Sequence, residues 1–449
     1  MNKLLVLLLI TSIYSFAKEI TFDEALHLLL KNNKQLKSKK LDIKQSHAIL
    51  DEISANNYGA LNFKETYTTT NHAGYAFNSK LSSRKATFGD FGLGSYTGPG
   101  SIGEAPDDLN YPKSTENYET KITYDIPLFT GFKISNAKDV AQLQVQAKNK
   151  KYQYDEKLLT LELLRAYNAC VAAKEYLKST QKAKEVTKSF VNFSNEMFKE
   201  GLVTKIDLNE AQVRDLNTNV KLKEAQNKVS LALSYLSFLV GDEITDVKNF
   251  EEVKLSNLVL KNIQEEAINK REDYKYIDLN VKSSKKNIKV EQADYYPKIN
   301  AHVEYGYSDD KLKNFDDTQD FYLAKVQLNM KIFDMTREAK VEQSRINYNK
   351  LMLEKEQFKD SIKLEVKQNY LNYLSNEEIL VEKIKAQNLA EEVLIKAEDM
   401  YKNKLLKMTD LLAQQASLQK AEAEVIMSKF DLTFMKAKLK LSIGKSLKE

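Results

Sequence analysis

Four short segments of the chain alternate between apolar and polar residues with a period of two, which predicts β-strands with one apolar face. The segments span about 61–70, 117–129, 298–308 and 320–333. In the second segment, Ile122 and Tyr124 face one way and Lys121 faces the other. Strands of about ten residues that are rich in tyrosine on an apolar face are typical of membrane barrels. An antiparallel sheet that buries one face gives the same pattern, so the strands alone leave both alternatives open.

Most of the remaining chain shows the spacing of long helices that pack as coiled coils. Apolar or small residues recur at alternating steps of three and four, which is the narrow seam of a coiled coil: Leu222, Ala225, Val229, Ala232, Leu236 and Leu239. Between Lys133 and Glu200 the sequence contains no proline and no glycine. A helix of that length would extend for roughly 100 Å at 1.5 Å per residue, which is too long for a compact domain.

The chain contains an internal repeat. The segment 198–208 resembles the segment 401–411, at an offset of 203 residues, whereas 41–46 aligns with 279–284 at an offset of 238. The difference predicts a longer loop in the first half, at about 71–114, where most of the glycines lie. We therefore expect a first repeat at 18–240, a linker at 241–262 and a second repeat at 263–449, each with a long helical hairpin. The predicted hairpin tips lie near 201–206 and 403–408.

The first 17 residues have the pattern of a cleavable secretory signal peptide. Lys3 precedes an apolar run at 4–10, and Ser15, Phe16 and Ala17 form a small-x-small site that predicts cleavage after Ala17. The alternative, a membrane anchor, needs about 20 apolar residues, and this run is much shorter. The sequence thus predicts a mature protein that starts at Lys18 and is exported from the cytoplasm.

The composition argues against several classes of site. Charged residues make up 29% of the chain, and Lys and Glu are interspersed with a net charge of +5, so no basic footprint for a nucleic acid is expected. The chain has one cysteine and four scattered histidines, and we expect no disulfide, metal or cofactor. Cys170 is predicted to be a small buried apolar residue. The segment 98–103 matches G-x-G-x-x-G but lacks a βαβ context, so we interpret it as flexible extracellular loop and predict no enzymatic activity.

Four strands cannot close a barrel, because the smallest closed barrels have about eight strands. An open edge in lipid would leave backbone groups unpaired, at several kcal/mol for each group. Several chains must therefore pool their strands, and a lumen wide enough for solutes favours three chains, with about 12 strands, over two. The residues predicted to face that lumen are polar: Glu119, Lys121, Asn300, Glu304, Gln327 and Lys331.

This layout resembles the TolC-like outer-membrane efflux protein family. The resemblance rests on the duplicated halves and on three short stretches, namely 21–26 (TFDEAL), 127–131 (PLFTG) and 201–203 (GLV) followed by Asp207. It implies an α+β membrane protein in which three chains form a 12-stranded outer-membrane barrel that continues as an α-helical coiled-coil tunnel in the periplasm. It also implies a passive exit duct for small molecules or polypeptides, opened by an iris-like movement. The implied partners are a homotrimer, a periplasmic adaptor, an inner-membrane transporter and outer-membrane lipid.

The resemblance also implies roles for residues at the two tips. Asp410, Asp207 and Tyr401 match positions at the periplasmic aperture, and the adaptor-contacting positions are Gly201, Leu202, Lys404 and Leu405. The sequence departs from the better-known family members at Leu406, Lys404 and Ala413, so a weaker or differently wired latch is expected. As alternatives, the two aspartates could cap helices, and Gly201 and Leu202 could serve turn geometry alone.

A different class of protein fits part of the pattern. A trimeric surface adhesin or structural coiled-coil protein of the cell envelope is also exported and rich in long helices. Such a protein needs a terminal barrel anchor and a single stalk, whereas this chain places strand–loop–strand units between helices in both halves. A soluble periplasmic scaffold is a further alternative, which fractionation would separate from an outer-membrane protein.

Overall fold

The computed structural model describes residues 19–255, 258–312 and 319–447. The predicted signal peptide and its cleavage site lie outside these residues. Ten α-helices and six strands occur in the described part, in the order β1 (Glu19–Ile20), α1 (Phe22–Asn32), α2 (Lys34–Ala55), β2 (Ala60–Thr70), α3 (Ala73–Ser82), α4 (Asp107–Asn110), β3 (Thr115–Phe129), α5 (Lys133–Lys199), α6 (Lys205–Val240), β4 (Asp246–Val247), α7 (Leu260–Lys270), α8 (Glu272–Gln292), β5 (Lys298–Asp309), β6 (Asp320–Asn329), α9 (Met335–Lys402) and α10 (Met408–Ser442). None of the helices that the structure describes is long and apolar enough to cross a bilayer.

The residues divide into two compact units. The helical unit contains the residues up to Lys44, Gln146–Asp278 and the residues from Leu353 onward, and the sheet unit contains Gln45–Val145 and Leu279–Met352. Each unit therefore takes segments from both halves of the sequence repeat.

Two of the apolar cores of the helical unit are built from equivalent positions of the repeat. In the first core, Leu29 packs with Leu163 and Leu236 from the two hairpin helices α5 and α6. In the second core, the residues that correspond to these through the repeat pack together on α7, α9 and α10: Ala267, Val366 and Leu439. The short helix at the start of each repeat thus covers its own hairpin with its apolar face.

A parallel pair of two-residue strands closes the first core. Glu19 pairs with Asp246, and Ile20 pairs with Val247. The hydroxyl of the buried Tyr167 donates a hydrogen bond of 3.0 Å to the backbone oxygen of Ile20. This contact gives the segment 241–262 a short strand that hydrophobic periodicity could not reveal, because two residues show no period.

A buried ion cluster joins α8 to α9 and α10. The guanidinium of Arg271, which is 3% exposed, donates to both carboxylate oxygens of Asp273 at 3.0 and 2.6 Å. It also donates to Glu365 at 2.7 Å and to the backbone oxygen of Ser442 at 3.3 Å. Bidentate pairing and several acceptors offset the desolvation of the buried charge.

The sheet unit holds one antiparallel sheet of four strands in the order β2-β3-β5-β6. The register places Phe63, Ile122, Tyr305 and Tyr322 in one row across the four strands. On the other face, Lys121 forms ion pairs with Glu119 at 2.7 Å and with Glu304 at 3.2 Å. The sheet therefore has one apolar, aromatic face and one polar face, and β2 and β6 are its edge strands.

Strand β6 is shorter than the sequence predicts. The alternating pattern continues to about Phe333, but the strand ends at Asn329, which pairs with Lys298, the first residue of β5. Pro297 precedes Lys298 and has no N–H group with which to extend the ladder. Lys331, which was expected on the strand, instead forms an ion pair of 2.9 Å with Asp334.

The long loop at 71–114 is folded. It contains α3, α4 and three short 3₁₀ turns, and the interpretation of the 98–103 stretch as flexible extracellular loop stays a prediction. Residues 99–101 form one of these turns, after Gly98 at a φ of 136°. We call residues 71–114 the insertion, because the second half of the sequence has no counterpart.

Candidate functional site

The tips of the two helical hairpins have the same backbone turn. At the end of α5, the N–H of Leu202 donates to the oxygen of Met197 at 2.8 Å, and at the end of α9 the N–H of Leu405 donates to Met400 at 2.8 Å. Both are the long hydrogen bonds of a Schellman motif, which needs a left-handed residue after the helix. Gly201 supplies it at a φ of 71°, and Lys404 supplies it at 62°.

The helices that leave the two tips begin differently. Helix α6 has a capping box, in which the side chain of Thr204 accepts from the N–H of Asp207, and the Asp207 carboxylate accepts from the N–H of Thr204 at 2.8 Å. The equivalent position before α10 is Lys407, which makes no side-chain cap. The cap of α6 is therefore Thr204, and Asp207 is its reciprocal partner rather than the cap itself.

The capping box holds the Asp207 carboxylate in its ionised form. Hydrogen bonds from the hydroxyl and the N–H of Thr204 lower the pKa of Asp207 below its ordinary value, and the nearby Lys407 ammonium acts in the same direction.

Tyr401 lies in the apolar core between the hairpins. Its side chain is 7% exposed and packs with Met408 and Leu411, and its ring meets that of Phe193 edge to face at 5.7 Å. Its buried hydroxyl interacts with the hydroxyl of Ser194, and among the described residues neither group has a well-formed hydrogen bond. Burial raises the pKa of Tyr401. The structure thus places Tyr401 near Asp207 without a hydrogen bond between them.

The other expected site residues lie on the surface of the tips. Asp410 is in the first turn of α10 and is exposed, and no side-chain hydrogen bond or ion pair to another described residue involves its carboxylate. Leu202 and Leu405 are exposed apolar residues that occupy the same place in the two turns, next to Gly201 and Lys404. Each tip therefore presents one leucine to the surroundings.

Sequence reasoning missed a polar seam between α6 and α10. Arg214 donates a hydrogen bond of 3.0 Å to the side-chain oxygen of the buried Gln415, and Lys221 contacts Gln419 at 3.4 Å. Burial lowers the pKa of Arg214. A signal was present in the sequence, because Asp207, Arg214 and Lys221 recur every seven residues and so share one face of a helix in a coiled coil.

The described residues were also compared with the requirements of a metal site and of a reactive thiol. Within them, no group of three or more histidine, cysteine, aspartate or glutamate side chains could hold a metal ion. Cys170 is a free, fully buried thiol, as the sequence predicts, and burial raises its pKa to about 12. It is therefore inert as a nucleophile at neutral pH.

Comparisons with known proteins give a consistent result. The family model for outer membrane efflux proteins matches residues 25–242 and 263–445. The solved structure of CusC, described as a transmembrane channel, aligns with a TM-score of 0.78 and 14% identity, and the alignment covers 97% of this chain and 96% of that one. The outer-membrane channel OprN aligns at 0.77 with 14% identity, covering 95% and 91%, respectively. The Campylobacter jejuni CmeC outer membrane channel aligns at 0.77 with 12% identity, covering 94% and 85%. No curated protein matches the sequence.

Proposed function

Because the chain belongs to the outer membrane efflux protein family, we propose that it is the outer-membrane exit duct of a tripartite efflux or type I secretion system. Three chains form the duct, which takes small molecules or polypeptides from an inner-membrane transporter with the help of a periplasmic adaptor. The first 17 residues are a cleaved signal peptide. Residues 18–240 and 263–449 are the two repeats, joined by 241–262.

The observation that carries this proposal is a sheet that has an apolar face and two open edges. The strands β2 and β6 lie at the edges of the four-stranded sheet, and the apolar face exposes aromatic and aliphatic side chains such as Phe63 and Tyr322. In lipid, each unpaired backbone group at an edge costs several kcal/mol. Pairing β2 of one chain with β6 of the next removes all edges, and three chains then supply about 12 strands.

The tips of the helical hairpins form the periplasmic end of the proposed duct. Asp410, whose carboxylate is exposed and not used in a cap, is the aperture residue, and a ring of three copies would attract cations and repel anions. Asp207 and Tyr401 contribute to the closed state, which opens by an iris-like movement of the hairpins. The sequence has Leu406 at the position where the family resemblance implies a linking arginine. In this chain the hydrogen bond between Arg214 and Gln415 joins the two hairpins.

The adaptor binds the outward parts of the two turns. Leu202 and Leu405 are exposed beside the left-handed residues Gly201 and Lys404. Since the turns have the same backbone hydrogen bonds, each chain offers the adaptor two turns of the same backbone shape, each with an exposed leucine, and a trimer offers six.

Two neighbouring residues on opposite faces of β6 test the proposal. Val326 lies on the apolar face and Gln327 on the polar face, where Gln327 pairs with Asn300. Arginine facing lipid near the bilayer midplane costs roughly 2–4 kcal/mol, whereas the lumen tolerates it. We expect Val326→Arg to prevent heat-resistant trimers from forming in the outer membrane, and Gln327→Arg to form trimers that conduct in planar bilayers with altered ion preference. A wild-type chain that is extracted as a monomer, or equal behaviour of the two variants, would contradict the proposal.

A further inference from the structure

The insertion spans the full width of the sheet at one end. The chain leaves the sheet at Thr70 of the edge strand β2, and the guanidinium of Arg84 donates to the backbone oxygen of Asp320 at 2.5 Å. Asp320 is the first residue of β6, the opposite edge strand. The segment between Thr70 and Arg84 therefore crosses all four strands. This end of the sheet is the one where β2 ends and β3 begins, whereas the long helices join the strands at the other end.

Two consecutive cations fix the insertion to the sheet. Arg84 follows the C-cap of α3 and has the left-handed conformation, at a φ of 51°, and the next residue, Lys85, bridges two carboxylates. The Lys85 ammonium donates to Asp309 at 2.5 Å and also to Asp310. These hydrogen bonds raise the pKa of Lys85, and the side chain of Asp309 is almost fully buried. We call Arg84 and Lys85 with their acidic partners the clamp.

The insertion lies on the polar face of the sheet. Helix α3 contacts β3 and β5, and at this end the buried residues of these strands are Asn117, Gly306, Ser308 and the terminal Asp309. Asn117, Gly306 and Ser308 lie on the face of Lys121, because Gly306 pairs with Lys121 and the other two lie an even number of residues from one of this pair. Asp309 is the last residue of β5 and is held by Lys85 of the clamp. On the apolar face at the same end, Tyr67 and Tyr305 stay exposed. The buried residues of α3 are small, Ala76 and Ser79, which lets the helix lie close to the strands.

The polar face would line the lumen of the proposed barrel, so the insertion would lie inside its outer mouth. A ring of about 12 strands that are 4.8 Å apart and tilted by about 40° has a backbone diameter of roughly 24 Å. A helix with its side chains occupies roughly 10 Å. Three copies of α3, each placed against the inner wall, would therefore come together at the axis and leave little free cross-section.

The exposed surface of the insertion suits contact with copies of itself. Three of its large apolar side chains are among the most exposed in the described chain: Phe88 at 81%, Ile102 at 75% and Tyr111 at 81%. The insertion contains four cations and four anions: Lys80, Arg84, Lys85, Lys113, Asp90, Glu104, Asp107 and Asp108. Lys80 pairs with Asp90, and the clamp engages Arg84 and Lys85, so the remaining surface is not basic. Such a surface has little attraction for anionic lipid headgroups, whereas apolar side chains that meet at an axis become buried.

We propose that the insertions of three chains pack against one another through these apolar side chains and occlude the outer mouth of the lumen, with the clamp holding each insertion in place. This inference rests on the trimer of the proposed function. The partner of each insertion is therefore the same insertion in the second and third copies of this chain.

Cysteine crosslinking of the full-length trimer tests the contact. In a Cys170→Ala background, cysteine is placed singly at Phe88, Ile102 and Tyr111, and Tyr322→Cys serves as the control. Tyr322 is equally exposed, at 82%, but lies on the apolar face, where symmetry copies point away from one another. We expect oxidation to give disulfide-linked dimers at one or more of the three insertion positions and none at Tyr322. An intact trimer without disulfides at all three positions would overturn the inference and leave the proposed function standing, whereas a monomer would overturn both.

Conductance tests the clamp separately. The double variant Arg84→Ala/Lys85→Ala removes both cations from Asp309, Asp310 and Asp320, and the matched control Arg84→Lys/Lys85→Arg keeps a cation at each of the two positions. We expect the clamp variant to form normal trimers whose single-channel conductance rises by about twofold or more as the constriction opens, while the control changes it little. Trimers of the clamp variant with unchanged conductance would refute a role of the insertion in closing the mouth.

Discussion

The two hairpin tips provide an internal comparison of the energetic role of a left-handed residue. Gly201 and Lys404 occupy the same place in two Schellman turns, at φ values of 71° and 62°. A side chain in this conformation costs roughly 1–2 kcal/mol, since its Cβ approaches the following carbonyl oxygen. We therefore expect Lys404→Gly to stabilise the second tip and Gly201→Ala to destabilise the first.

The magnitude follows from the surroundings of the two residues. A Cβ built on Gly201 would meet no atom within 4 Å, so the alanine variant changes the backbone preference and adds no clash. For Lys404→Gly, the relief of strain is partly offset by the greater freedom of glycine in the unfolded chain. We expect a net gain of about 1 kcal/mol, which is about fivefold in a local opening equilibrium.

Hydrogen exchange of the full-length trimer, measured by mass spectrometry, reports this opening directly. The amides of Leu202 and Leu405 close the two turns through their bonds to Met197 and Met400. Exchange at Leu405 should slow by about fivefold in Lys404→Gly, and exchange at Leu202 should speed up by at least that factor in Gly201→Ala. Equal exchange at Leu405 in the wild type and Lys404→Gly would refute the argument that the turn is strained.

Three further predictions concern charged groups. Arg271→Ala leaves Asp273 buried without its partner, so we expect a loss of roughly 3–5 kcal/mol, seen as a lower thermal midpoint of the helical circular dichroism, with Arg271→Lys intermediate. The capping box lowers the pKa of Asp207, so its stabilisation is complete above the ordinary aspartate pKa of about 3.9 and is lost as the pH falls through the lowered folded value. Exchange at the start of α6 should therefore accelerate in acid, and Asp207→Asn, which removes the titrating group, should abolish this dependence. Asp410→Asn should raise single-channel conductance or reduce cation preference in planar bilayers, and unchanged values would remove Asp410 from the aperture.

Local patterns determined much of the architecture in advance. The family resemblance drawn from the duplicated halves and short stretches is confirmed by the family match at residues 25–242 and 263–445. Alternation with a period of two marked the four strands of the sheet, because successive strand residues point to opposite faces. The equivalence of the two tips was visible as an offset of 203 residues, and the capping box of Thr204 and Asp207 is a contact between residues three apart.

The tertiary structure decided everything that depends on residues far apart in the chain. Strand β6 ends where its partner strand meets Pro297, which alternation within β6 cannot show. Tyr401 is buried because another helix brings Phe193 against it, whereas its role at the aperture was implied by the family resemblance alone. The insertion is held to the sheet by Arg84, which donates to the backbone oxygen of Asp320, and by Lys85, which donates to the carboxylate of Asp309, both more than 200 positions away. The periodicity of the sequence shows which face of a helix or strand is apolar. Which distant residues pack on that face is decided only when the chain has folded.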